Sequence, residues 1–119
     1  MLARICAALI AISAAVGPAA AAECAPANED GAIAEGRLVD TDGALILEMP
    51  ESLCLKGPDD FDNVGGTKEV HVFGATDEVH TALSKLVGKD VHLRGRLMGA
   101  HTQHHKAPIL MEVSEADAN

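Results

Sequence analysis

The sequence predicts one mainly β domain with a single helix. Several short segments alternate apolar and polar residues, as strands with one buried face do. Only residues 79–86 carry apolar side chains at helical spacing, and connections rich in glycine and polar residues separate the segments. A chain of 119 residues is long enough for one domain of ordinary size.

The first 22 residues have the pattern of a secretory signal. Arg4 is followed by an apolar run over residues 5–16, then by Pro18 and a tract of alanines. The run is shorter than the roughly 20 apolar residues that a membrane-spanning helix needs. The prediction is therefore a signal peptide at residues 1–22 and one domain at residues 23–119, periplasmic or secreted. Glu23 occupies the position where a lipoprotein signal has a small residue, so no lipid anchor on Cys24 is expected.

Cleavage of that signal would remove Cys6 and leave Cys24 and Cys54. An even pair of cysteines in an oxidising compartment predicts one disulfide. The chain has no C-x-x-C motif, so a thiol oxidoreductase is not indicated.

Three strands are expected in the first part of the domain. They are predicted, in chain order, at residues 32–39 (AIAEGRLV), at residues 44–49 (ALILEM) resuming after Pro50 as residues 52–56 (SLCLK), and at residues 69–74 (EVHVFG). Residues 57–68 (GPDDFDNVGGTK) are predicted to be a loop because glycine, proline and acidic residues cluster there.

The helix follows the third strand. Thr76 is suited to cap its N-terminus, acidic residues occupy the first turn, and Gly88 is placed to end it. The next strand, residues 91–98 (VHLRGRLM), alternates most clearly, with His92, Arg94 and Arg96 on its outer face. A polar connection leads past Pro108 to a last strand at residues 109–113, and the tail after it is predicted to be frayed.

Three strands, a helix and two strands are the element order of a small five-stranded OB-fold-like barrel. The segments EGRLV and RGRLM also share a glycine, Gly36 and Gly95, which would suit the bulges and close approaches of a tightly coiled barrel. A small open α+β sandwich is the competing topology.

Charge and composition exclude nucleic-acid binding. The chain has 18 acidic against 9 basic residues, a formal net charge of -9, no Trp or Tyr, and only two Phe. Nucleic-acid binding requires basic tracks and stacking rings. The outer stripe of His92, Arg94 and Arg96 is therefore predicted to pair with neighbouring carboxylates, with an anion site as the less favoured interpretation.

The segment His101-Thr102-Gln103-His104-His105 contains the only dense set of metal-capable side chains. Neutral imidazole binds Zn²⁺, Cu²⁺ and Ni²⁺, so His101, His104 and His105 are the candidate metal ligands. Their spacing matches no standard zinc module. The competing interpretation is a solvated polar hairpin tip with no specific role.

Other sites are predicted to be ordinary. The run Asp59-Asp60-Phe61-Asp62-Asn63 lacks the spacing of a calcium loop and is predicted to be a solvated acidic loop. His71 and His80 each stand alone and are interpreted as surface or core residues. The chain has no G-x-S-x-G motif, no Walker loop and no H-E-x-x-H motif, so no enzyme is expected.

The segment RGRLMGAHTQHHKAPILMEV resembles the end of domain-of-unknown-function family 4431, a family of small exported bacterial proteins. The resemblance extends to Cys24, to the first strand and to the Pro-x-x-x-Cys element that ends at Cys54. It implies export and a Cys24–Cys54 disulfide, and it marks His101, Thr102, His104, His105 and Pro108 as motif positions. Lys106 ends the histidine run earlier here than in the family, and the resemblance implies no particular reaction.

The sequence is compatible with three classes of function. The first is a non-enzymatic periplasmic binding module whose histidine loop binds a metal. The second is an acidic module that binds a protein or a cationic ligand of the cell envelope without metal. The third is an enzyme with an unrecognised carboxylate site.

Overall fold

The computed structural model describes residues 23–100 and 106–119, so the predicted signal peptide lies outside the described residues. Six strands, one α-helix and one short 3-10 helix make up this part of the chain. They are β1 (Ala25–Pro26), β2 (Ala32–Thr41), β3 (Ala44–Lys56), the 3-10 helix (Asp60–Asp62), β4 (Val64–Gly74), α1 (Asp77–Lys85), β5 (Asp90–Gly99) and β6 (Ile109–Ala118).

Five of the strands close into a barrel. β2 pairs antiparallel with β3 and β5, β3 pairs with β4, and β5 pairs with β6. β4 and β6 run parallel and complete the ring, while the short β1 adds to the edge of β3. Mainly β structure, one helix between the third and fourth barrel strands and a closed five-stranded ring confirm the predicted OB-fold-like barrel over the open sandwich.

Two predicted boundaries were wrong. β4 begins at Val64, inside the predicted loop. Its glycine-rich start pairs with the end of β3, where Val64 lies opposite Leu55. β6 continues to Ala118, where a frayed tail was predicted. Ala116 is packed against the core opposite Leu93 of β5, so the antiparallel ladder extends through the acidic end of the chain.

The helix α1 has the predicted termini. The Thr76 hydroxyl accepts a hydrogen bond from the Val79 backbone N–H at 3.2 Å, which satisfies one of the free donors of the first turn. Leu86 follows as the C-cap, and Gly88 takes a φ of +88°, a left-handed conformation that glycine adopts without strain. Leu83 is fully buried, so the helix contributes to the barrel core.

The core lies inside the barrel and is aliphatic. Inward residues of β5 alternate with outward polar ones, as the sequence predicts, since Val91, Leu93 and Leu97 are buried and Arg94 is exposed. The other largest fully buried side chains in the described part of the chain are Leu38, Leu47, Leu55, Val70, Val72, Leu83, Ile109, Met111 and Val113.

Gly36 and Gly95 allow the close strand approaches that the repeated segments predict. A Cβ atom on Gly36 would overlap the carbonyl oxygen of Glu48 in β3. A Cβ atom on Gly95 would overlap the carbonyl oxygen of Glu112 and lie 2.9 Å from the Val113 Cα. The β5–β6 register shifts at Gly95, so this glycine lies at a bulge.

Gly95→Ala is expected to lower the free energy of unfolding by about 2 kcal/mol, because the new methyl group meets backbone that cannot move aside without breaking the ladder. The matched control is Gly65→Ala in β4, where a Cβ atom would have nothing within 4 Å. Chemical denaturation of both variants measures the difference. Equal stability of the two would contradict this account of the bulge.

Candidate functional site

The loop between β5 and β6 carries the histidine motif. His101, Thr102, His104 and His105 lie outside the described residues, whereas both ends of the loop are described. β5 ends at Gly99 and β6 begins at Ile109. The backbone N–H of Ala100 donates to the Pro108 carbonyl at 2.9 Å, so the two ends lie side by side.

Asp62 holds the first end of the loop. Its side chain is 1% exposed, and it is the one buried charged or polar residue in the described part of the chain. The Gly99 backbone N–H donates to Asp62 Oδ1 at 3.0 Å, and Asn28 Nδ2 donates to Oδ2 at 2.9 Å. Both carboxylate oxygens are thus used, and bonds to a charged acceptor are stronger than those between neutral groups.

Gly99 fits under the 3-10 helix because it has no side chain. A Cβ atom there would overlap the carbonyl oxygen of Phe61 and lie 3.0 Å from the Asp62 Cα. The end of β5 is therefore pressed against the backbone of the 3-10 helix, and the Asp62 carboxylate reaches its N–H directly.

His71 lies at the second end of the loop. The half-buried imidazole belongs to β4, where His71 pairs with Leu110 of β6. Its Nδ1 accepts a hydrogen bond from the Lys106 backbone N–H at 3.3 Å, so the neutral ring carries its proton on Nε2. Ala107, next along the chain, is buried. A side chain of the 3-10 helix and a side chain of β4 therefore hold the two ends of the histidine loop.

The prediction of a solvated acidic loop is wrong at Asp62. Asp59 and Asp60 are exposed, but Asp62 is turned inward and buried. No local signal separates these three carboxylates, because the partners of Asp62 lie 34 and 37 residues away along the chain. His71 and Gly99 were likewise not recognised as anchors of the loop.

Two of the three residues in the basic stripe of β5 contact carboxylates, as predicted. His92 lies 3.6 Å from Glu35, a contact that is an ion pair only when the imidazole is protonated. Arg96 pairs with Asp30 at 3.0 Å through its guanidinium. His80, which was interpreted as standing alone, accepts a hydrogen bond on Nδ1 from the Gly74 backbone N–H at 3.4 Å.

The predicted disulfide is present. Cys24 and Cys54 are bonded, with their Cα atoms 4.7 Å apart, and they attach the start of the domain to β3. Directly after the disulfide, β1 pairs in parallel with β3, and the Asn28 backbone N–H donates to the Leu97 carbonyl at 2.8 Å. The disulfide therefore positions the segment that supplies Asn28 to Asp62.

Within residues 23–100 and 106–119, no group of three His, Cys, Asp or Glu side chains is arranged to hold a metal ion. Among the same residues, no helix combines the length and apolar character needed to cross a membrane.

Comparison with protein families gives one match. The model of the family described as Domain of unknown function (DUF4431) matches residues 69–117, which include most of β4, the helix, β5, the histidine loop and nearly all of β6. Neither the curated proteins nor the solved structures contain a significant match to the chain.

Proposed function

We propose that this chain, whose residues 69–117 match the DUF4431 family model, is an exported, non-enzymatic binding module of the cell envelope. Its histidine loop would bind a divalent transition metal through His101, His104 and His105. The Cys24–Cys54 disulfide supports export, because disulfides persist in oxidising compartments. The basic start, apolar run and alanine tract of residues 1–22 also support export.

The anchoring of both loop ends is the observation that carries the metal proposal. Asp62 holds Gly99 before the motif, and His71 holds Lys106 after it. Binding is stronger when less conformational freedom must be lost on association. A loop whose ends are fixed loses less freedom on closing around an ion than one free at both ends. The position also suits binding, because the corresponding loop frames the ligand face of OB-folds.

The chemistry of the motif favours Zn²⁺, Cu²⁺ or Ni²⁺. Imidazole is a good ligand for these ions and a poor one for Ca²⁺ or Mg²⁺, which prefer oxygen. Only neutral imidazole coordinates, so affinity should fall as the pH drops below the ordinary histidine pKa of about 6.5. Thr102 and Pro108 are motif positions without an assigned role as ligands.

An acidic interaction module that works without metal is the second candidate. The net charge of -9 favours it, since a surface of this sign attracts cationic partners with strong salt dependence. Such a module would be indifferent to chelators, which distinguishes it from the metal-binding proposal.

A calorimetric titration tests the metal proposal. Residues 23–119, stripped of metal and carrying no polyhistidine tag, are titrated with Zn²⁺, Cu²⁺ and Ni²⁺. We expect one ion per chain for at least one of the three metals, and at least a roughly hundredfold loss of affinity in the variant His101→Ala/His104→Ala/His105→Ala, because it removes every proposed ligand.

The matched control is His80→Gln/His92→Gln, which removes imidazoles outside the loop and should leave affinity unchanged. His71 is left intact in this control because it holds the loop end. Absence of heat with all three metals, or equal heat in the alanine variant, would refute the metal proposal and leave the acidic interaction module.

A further inference from the structure

A cleft lies between β2 and β3, on a part of the barrel distinct from the histidine loop. The two strands pair from Arg37 opposite Glu48 to the hairpin turn, but not beyond Arg37 toward the start of β2. There β2 continues along β5, while β3 bulges before it resumes pairing with β4 at Leu53. From Gly36 toward the start of β2 the two strands are therefore no longer paired, although Gly36 itself still lies against Glu48.

Two adjoining depressions of about 520 and 240 Å³ occupy the cleft. Both are lined by Glu35 of β2 and by Met49 and Pro50 of β3, so they form one continuous groove. Ile33 lines the smaller depression and is 43% exposed, which is unusual for a large aliphatic side chain in this barrel. The groove thus offers apolar contact surface as well as backbone.

Within the described residues, the stretches of β2 and β3 that line the groove are not paired with each other. Residues 32–36 of β2 pair with β5 alone. Residues 49–52 of β3 appear in no ladder with β1, β2 or β4. Strand edges of this kind bind extended peptides, because the main chain of the peptide supplies the missing hydrogen bonds.

The charge of the groove selects the partner. Glu35, Glu48, Glu51 and Asp90 line it, against the single cation Arg37. The four carboxylates are not grouped closely enough to hold a metal ion. A second copy of the chain is disfavoured, because each copy has a net charge of -9. An extended peptide with basic residues at alternate positions would place its cations on one face, toward the carboxylates.

We propose that this groove binds a basic peptide segment in extended conformation as an added strand. The apolar part of the groove, formed by Ile33, Met49 and Pro50, would contact the aliphatic stems of the basic side chains. The carboxylates along the groove would pair with their charged ends. This site is independent of the histidine loop, so it can exist whether or not the loop binds metal.

The test is fluorescence anisotropy with a labelled six-residue peptide that alternates Lys and Val, in the presence of a chelator. We expect binding that weakens with rising salt, together with about a fivefold affinity loss in Glu35→Gln/Glu48→Gln. Both side chains are exposed, so the variant is expected to fold. The control Asp42→Asn/Glu78→Gln removes the same net charge away from the groove and should change affinity less than about twofold.

Two further peptides separate charge from strand addition. A peptide with Glu in place of Lys should not bind. A Lys-Val peptide with alternate backbone nitrogens methylated should bind much more weakly, because it cannot complete the ladder. The proposal is overturned if the parent peptide does not bind, if both double variants lose affinity equally, or if the methylated peptide binds as well as the parent.

Discussion

Replacing Asp62 with Ala is expected to lower the free energy of unfolding by about 3 kcal/mol. The change leaves the buried Gly99 N–H and the Asn28 side-chain amide without their acceptor. A buried donor that loses its acceptor keeps the free-energy cost of its own desolvation with no hydrogen bond to offset it. Hydrogen bonds to a carboxylate are also stronger than those between neutral groups. Urea denaturation followed by circular dichroism measures the effect.

Two variants separate this role from a general effect of the acidic segment. Asp62→Asn keeps the shape of the side chain and one acceptor oxygen. Its unfolding free energy is therefore expected to fall by about half as much as in Asp62→Ala. Asp60→Ala changes an exposed neighbour in the same 3-10 helix and should cost less than about 0.5 kcal/mol. If Asp62→Ala is no more destabilising than Asp60→Ala, the carboxylate does not anchor the loop.

Loss of the disulfide is expected to have an effect of similar size. The bond joins residues separated by 30 positions. Closing a loop of this length lowers the conformational entropy of the unfolded state. The corresponding gain in the free energy of unfolding is about 3–4 kcal/mol at 25 °C. Cys24→Ser/Cys54→Ser should therefore shift the urea midpoint strongly. A reductant should have a comparable effect on the parent protein, because Cys24 is exposed.

The internal control is the serine variant with added reductant. Its urea midpoint should not change, because it has no disulfide to reduce. The disulfide and Asp62 are also coupled, since Asn28 follows Cys24 closely and donates to Asp62. The variant that lacks both the disulfide and the Asp62 carboxylate should therefore lose less unfolding free energy than the sum of the two separate losses. Strict additivity would show that the disulfide does not position Asn28.

The sequence contains enough local information for most of the fold. Alternation in residues 91–98 identifies β5 and its buried face, and Thr76 and Gly88 bracket the helix. Gly36 and Gly95, taken from a repeated segment, mark the two close approaches of the barrel. Each of these signals depends on neighbours within one element, which is why it can be recognised without the fold.

The loop anchors and the groove could not be predicted in the same way. Asp62 belongs to a run of similar acids and is distinguished only by Gly99 and Asn28, which are remote along the chain. The groove arises where the pairing of β2 with β3 ends at Arg37, which is a property of register rather than of any single residue. The predicted end of β6 was too early for a related reason. Its acidic end is stabilised by pairing with β5, which lies earlier in the chain and gives no signal within β6 itself.

The most direct test of the central claim is to map where the metal binds. Amide NMR spectra of residues 23–119 are recorded while Cu²⁺ is added below one equivalent, so that the paramagnetic ion broadens only nearby signals. We expect broadening at Gly99, Ala100, Lys106 and Ala107, and no such broadening in His101→Ala/His104→Ala/His105→Ala. Broadening centred elsewhere on the barrel, or unchanged in that variant, would contradict the histidine loop as the metal site.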